Sequence, residues 1–100
     1  MYAVVNHLPI KPDADWADIA TEFAKFAADT GAAFPKLKTA VLTRASATEA
    51  IFMGVYEDRA TAEHVSSKVA APWFAEHIRR YLAGPANRSS GDVIAGFARG

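Results

Sequence analysis

The chain has 100 residues, 51% hydrophobic and 22% charged, with eleven basic side chains balancing eleven acidic ones and a formal net charge of zero. That composition belongs to one folded domain spanning 1–100, and a balanced charge with no Lys/Arg run longer than Arg79-Arg80 leaves no footprint for nucleic acid or an anionic membrane. The absence of cysteine removes disulfides, thiolate metal sites and a cysteine nucleophile, and with Met1 to His7 lacking a basic leader and too soon polar for a signal segment, and no apolar run of about 18 residues, a cytoplasmic protein is expected.

Tyr2 to Ile10 reads as a strand whose two faces are both mostly apolar, stopped near Pro9 and Pro12. Successive side chains point to opposite sides, so only one of Asn6 and His7 can face a cavity. Asp13 or Asp15 caps a helix running to about Thr30, with Trp16, Ile19, Ala20, Phe23 and Ala27 as its apolar stripe and Gly31 as its stop. Leu37 to Arg44 alternates as a second strand, Ala45 to Glu49 forms a hairpin loop, and Ala50 to Tyr56 is a third strand in which Gly54 marks a bulge or, less simply, a close approach. Asp58 caps a helix from Arg59 to about Ala70. Pro72 predicts a break there and a second helical piece to Ala83, ended by Gly84-Pro85. Ala86 to Gly91 reads as a polar loop and Asp92 to Arg99 as a fourth strand.

The order β-α-β-β-α-β, folded as two split βαβ units with right-handed crossovers, predicts an α+β ferredoxin-like domain: a four-stranded antiparallel sheet with both helices on one face. The other face is then uncovered and apolar in strands one, three and four. Packing two such faces together predicts a homodimer.

The stretch Ala71 to Leu82 gathers the most chemistry. Phe74, Ile78, Tyr81 and Leu82 form an apolar stripe, while Trp73 and His77, four apart, share the neighbouring one. His77 is a candidate general base, Trp73 and Phe52 candidate stacking surfaces, and Asn6 an amide that needs a partner when buried in an apolar strand. His64 and Tyr56 are further candidates for lining a pocket, Arg80 a weaker one, and His7 the alternative to Asn6. Each also has a plain packing or surface role. The three histidines have no metal-binding spacing, and neither a phosphate loop nor a serine nucleophile elbow is present, so no metal site is predicted.

With β-α-β-β-α-β order over essentially the whole chain, Val55-Tyr56-Glu57-Asp58 leading into Arg59 to His64, and Ala71-Pro72-Trp73-Phe74 opening the last helical block, the sequence resembles the dimeric α/β-barrel proteins. Within them it is most similar to the antibiotic-biosynthesis-monooxygenase-like group. The resemblance implies a small pocket between sheet and helices, an aromatic or apolar ligand, and, in some members, oxygenation without metal or flavin. The same superfamily holds heme-degrading monooxygenases with an asparagine on the first strand and a histidine on the second long helix, which Asn6 and His77 could match. The tryptophan that precedes that histidine by two or three turns has no counterpart here. Three readings stay open: a cofactor-independent oxygenase using Asn6 and His77 on a ligand held against Trp73 and Phe52, a heme protein, and a non-catalytic dimeric binding or structural module.

Overall fold

A computed structural model describes residues 1–96. Strand β1 (Tyr2–Pro9) is a central strand, paired antiparallel with β3 (Glu49–Tyr56) on one side and β4 (Asn87–Asp92) on the other; β2 (Leu37–Ser46) completes the sheet in the order β2-β3-β1-β4. This is the ferredoxin-like topology, with the helices on one face. Alternation decides which side chains lie under them: Tyr2, Val4 and Leu8 of β1 and Ala50, Phe52, Gly54 and Tyr56 of β3 are buried, and their neighbours Ala3, Val5, Ile51, Met53 and Val55 are only half-covered on the far side.

Helix α1 (Trp16–Ala33) begins where the Asp15 carboxylate accepts hydrogen bonds from the N–H groups of Ala17 (2.9 Å) and Asp18 (3.4 Å). Its buried residues Ile19, Phe23, Phe26 and Thr30 follow the helical period. Gly31 does not stop it. The helix continues to Ala33 and closes through the Phe34 N–H to the Thr30 carbonyl (2.9 Å), because tertiary packing of the preceding turns outweighs one glycine.

The hairpin β2-β3 carries irregularities between Leu37 and Thr39 and between Arg44 and Ser46, whereas Gly54 pairs in register with Val4 and Ala40. Gly54 is therefore no bulge, and what lies close to it is the Tyr56 ring rather than a ligand or another backbone.

The second helical run departs most from expectation. Asp58 caps α2 (Arg59–His64), accepting from the Thr61 N–H at 2.8 Å. The chain then widens into a π-helical turn (Val65–Ala70) and passes without a break into α3 (Ala71–His77), Ala71 itself being helical at φ −60, ψ −47. A proline inside a helix has no N–H and crowds the carbonyl four residues back. Wider i→i+5 winding, seen in the bond from the Ala71 N–H to the Ser66 carbonyl, relieves that crowding while the run stays helical. Helix α3 also ends at His77, short of the expected Ala83. A 3-10 turn (Arg79–Tyr81) follows, and Leu82 is already extended and bridged to Ile10.

The fourth strand is Asn87–Asp92, not Asp92 to Arg99. Val93 to Gly96 lie beyond it, and positions 97–99 of the expected strand fall outside the described residues. The apolar alternation after Asp92 suggested the later position; the observed strand is set by pairing, with Asn87 opposite His7 and Asp92 opposite Tyr2. An edge strand open to water on both faces tolerates a wholly polar sequence. The uncovered face is in consequence apolar on the central strands, with Ala3, Val5, Ile51, Met53 and Val55, and at Val41 of the edge strand β2, while β4 presents Asn87 and Ser89 there.

Candidate functional site

Because α1 and the second helical run cover β1 and β3 more fully than the edge strand β4, a cleft of about 640 Å³ opens between the sheet and the second run. The sheet contributes Asn6 and Leu8 from β1, Phe52 and Tyr56 from β3, and Arg88 from β4. Register accounts for this set: Asn6 lies directly between Phe52 and Arg88 across the strands, all three on the helix-facing side. The helical wall contributes Ser66 and Ala70 from the π turn, and Ala71, Phe74 and Ala75 from α3, with Arg79 beyond them. Small side chains at Ser66, Ala70, Ala71 and Ala75 project little into the space and leave the volume open. The segment from Leu82 to Ala86 completes the lining.

Tyr56 is 2% exposed. Burial pushes its phenol above the ordinary tyrosine value, outweighing hydrogen bonding to Ser66 and the charge of Arg88, which act in the opposite sense. At neutral pH it is a protonated hydrogen-bond donor. Its ring lies back along the strand over Gly54, where an added Cβ would meet Cε2 at 3.1 Å and the hydroxyl oxygen at 3.3 Å. Gly54 thus lets the phenol oxygen lie roughly two residues, about 7 Å along the strand, closer to the level of Asn6 than a ring upright at Tyr56 would place it.

The six residues singled out from the sequence divide evenly. Asn6, Phe52 and Tyr56 line the cleft; His77, Trp73 and His64 do not. Trp73 stacks on Phe26 of α1 (centroids 4.4 Å apart, 26° between planes), and His77 stacks on Trp73 (5.4 Å, 27°) with Nδ1 3.3 Å from Glu22. Their shared stripe faces α1, so Trp73 seals the seam between helices and His77 is held at its edge. Phe74, one position along, turns to the cleft and meets Phe52 edge-on at 5.6 Å. His64 is exposed beside Phe34 (5.7 Å). His7 is on the opposite sheet face, its Nδ1 3.9 Å from Glu49, and Arg80 reaches the Tyr81 hydroxyl at 2.9 Å. Heme held by His77 with Asn6 on its far side would need both over one cavity, and these residues do not fit that arrangement. Among the described residues no group of His, Cys, Asp and Glu could hold a metal ion, and no helix is long and apolar enough to cross a membrane.

Sequence reasoning missed Ser66, Arg79 and Arg88. Arg88 would have been found from the right register for β4, and Ser66 from the shift of phase that the π turn introduces.

The same four-stranded ferredoxin-like fold occurs in solved structures named antibiotic biosynthesis monooxygenases. The chain superposes on NE2512, a protein of unknown function from Nitrosomonas europaea (TM-score 0.78, 18% identity, 99% of this chain and 94% of that one). It also superposes on SnoaB, a cofactor-independent oxygenase from Streptomyces nogalater (0.74, 15%, 98% and 97%), and on an antibiotic biosynthesis monooxygenase (0.75, 15%, 95% and 100%). No family model and no curated protein matches the sequence.

Proposed function

We propose that the chain is a cofactor-independent oxygenase that binds an enolisable aromatic molecule in the helix-side cleft. The observation that carries this is the composition of the lining: Leu8, Phe52, Phe74 and Leu82 give an apolar body, and Asn6, Tyr56 and Ser66 give neutral hydrogen-bonding groups, with neither a carboxylate nor a histidine among them. Neutral donors stabilise an enolate oxygen more than its parent ketone, so the cleft favours loss of the substrate's acidic C–H proton to water. The resulting carbanion passes one electron to O₂. Collapse of the radical pair forms the C–O bond of a hydroperoxide, and loss of water leaves a ketone, so that CH₂ and O₂ become C=O and H₂O. All the reducing electrons come from the substrate carbon. Asn6 holds the enolate oxygen, and the protonated Tyr56 phenol donates to the peroxide. His77, turned toward Glu22, takes no part.

Oxygen uptake with a tricyclic phenolic ketone such as anthralin tests this. Asn6→Ala is expected to slow the reaction about a hundredfold, as loss of an oxyanion donor does elsewhere, while His77→Ala leaves it unchanged. Protein-independent uptake across a panel of enolisable aromatics, or an undiminished rate in Asn6→Ala, would overturn it.

The central apolar stripe of the open sheet face, Val5, Ile51, Met53 and Val55 with Val41 at 40% exposure, fits a second copy of the chain as its cover. Light scattering is expected to give twice the chain mass for the wild type and the single mass for Met53→Asp. A wild-type monomer would contradict this.

A further inference from the structure

We propose that the ligand of this cleft carries a carboxylate on its aromatic body, held by Arg79 and Arg88. The proposal rests on the cleft being the ligand site and narrows what enters it. Arg79 comes from the helical wall and Arg88 from the edge strand, and no acidic side chain lines the space between sheet and helix. The chain as a whole is neutral, so this excess is local. Of the cations elsewhere, Lys36 sits 2.9 Å from Asp58, Lys38 3.6 Å from Glu57, Arg59 2.8 Å from Glu63 and Arg80 4.0 Å from Glu22, while Lys11, Lys25, Arg44 and Lys68 have no carboxylate of the described residues within 4.0 Å and line no cleft with apolar walls. Among the described residues neither Arg79 nor Arg88 has a carboxylate within that reach.

The placement of Arg88 strengthens the inference. Strand register sets it beside Asn6 on the cleft side of the sheet, so a carboxylate on Arg88 brings the ligand's body across Asn6 toward Phe52 and Phe74. A guanidinium fork accepts a carboxylate in two parallel bonds and fixes its plane as well as its position. Two arginines on different walls, above the apolar side chains of Leu8, Phe52, Phe74 and Leu82, suit one carboxylate on a flat hydrophobic skeleton, and no glycine-rich phosphate loop borders the cleft. The volume of about 640 Å³ is in the range of small-molecule sites.

Calorimetric titration with 1-naphthoate and with the neutral 1-naphthylmethanol tests the proposal. Wild type is expected to bind naphthoate roughly tenfold more tightly, consistent with a charge-assisted bond; Arg79→Gln/Arg88→Gln is expected to lose that preference while binding the alcohol as before. Because both side chains are exposed, circular dichroism is expected to report an unchanged fold. A second variant, Arg79→Glu/Arg88→Glu, is expected to bind 1-naphthylmethylammonium and reject naphthoate. Equal affinity of wild type for naphthoate and alcohol, or undiminished naphthoate binding in the double Gln variant, would overturn the carboxylate and leave the cleft as a ligand site. If wild type bound neither probe, the ligand site itself would fall, and the proposal with it.

Discussion

Gly54→Ala isolates one contact on which the cleft depends. Gly54 has an ordinary strand backbone with no positive φ, so alanine meets no backbone strain there and gains about 0.5–1 kcal/mol from the stiffer unfolded chain. Against that gain, the new Cβ would lie 3.1 Å from Cε2, 3.3 Å from the hydroxyl and 3.5 Å from Cζ of Tyr56. The ring must give by a few tenths of an ångström, yet it is packed with Tyr2, Val4, Ala62 and Val65, all buried. Overpacking of this kind costs about 1–3 kcal/mol, so the net expectation is a loss of about 1–2 kcal/mol. For a domain of this size that is about 5–10 °C in Tm. Thermal and urea unfolding measure it, and the partner is identified by a double-mutant cycle: in a Tyr56→Leu background the cost of Gly54→Ala is expected to vanish. A Gly54→Ala protein as stable as wild type, or a cost that persists without the tyrosine ring, would refute the reasoning.

Three further outcomes are expected. Asp58 is held well below the usual carboxylate range by its bonds to Thr61 and by Lys36, so its contribution is present above about pH 4 and is lost as pH falls further; acid unfolding curves of wild type and Asp58→Asn should differ at neutral pH and converge in strong acid. Tyr56 titrates above its unfolded value because of burial, so the unfolded chain ionises first and stability falls as pH rises past about 10; alkaline unfolding of Tyr56→Phe should show a shallower decline. Trp73→Ala removes the stack on Phe26 and should lower stability by about 2–4 kcal/mol in urea unfolding while leaving affinity for a cleft ligand unchanged, in contrast to Phe52→Ala, which should weaken both.

The order of elements was legible because the signals that set it are local. Strand β3 alternates without a fault, and Asp15 and Asp58 stand directly before their helices and cap them. The fourth strand was not legible. It is an edge strand of Asn, Arg, Ser and Gly with no apolar face, and only its pairing with β1 defines it, so the more hydrophobic residues after it drew the assignment. The same error hid Arg88. Pro72 raised a correct question about the helix and a wrong answer, since a change of winding substituted for a break. That Trp73 and His77 share a stripe followed from their spacing; which neighbour the stripe faces is a tertiary fact, decided by Phe26 and Glu22 on α1. Asn6 could be narrowed to one of two faces, and the register put it on the helix side with Phe52 and Arg88.

The most direct test of the cleft as the ligand site is an NMR titration of the isotope-labelled protein with an aromatic ligand to saturation. The Asn6 side-chain amide and the Phe52 and Phe74 ring signals are expected to shift while the Trp73 indole N–H and the His77 ring signals stay in place. Shifts centred on Trp73 and His77, with Asn6 unmoved, would contradict it.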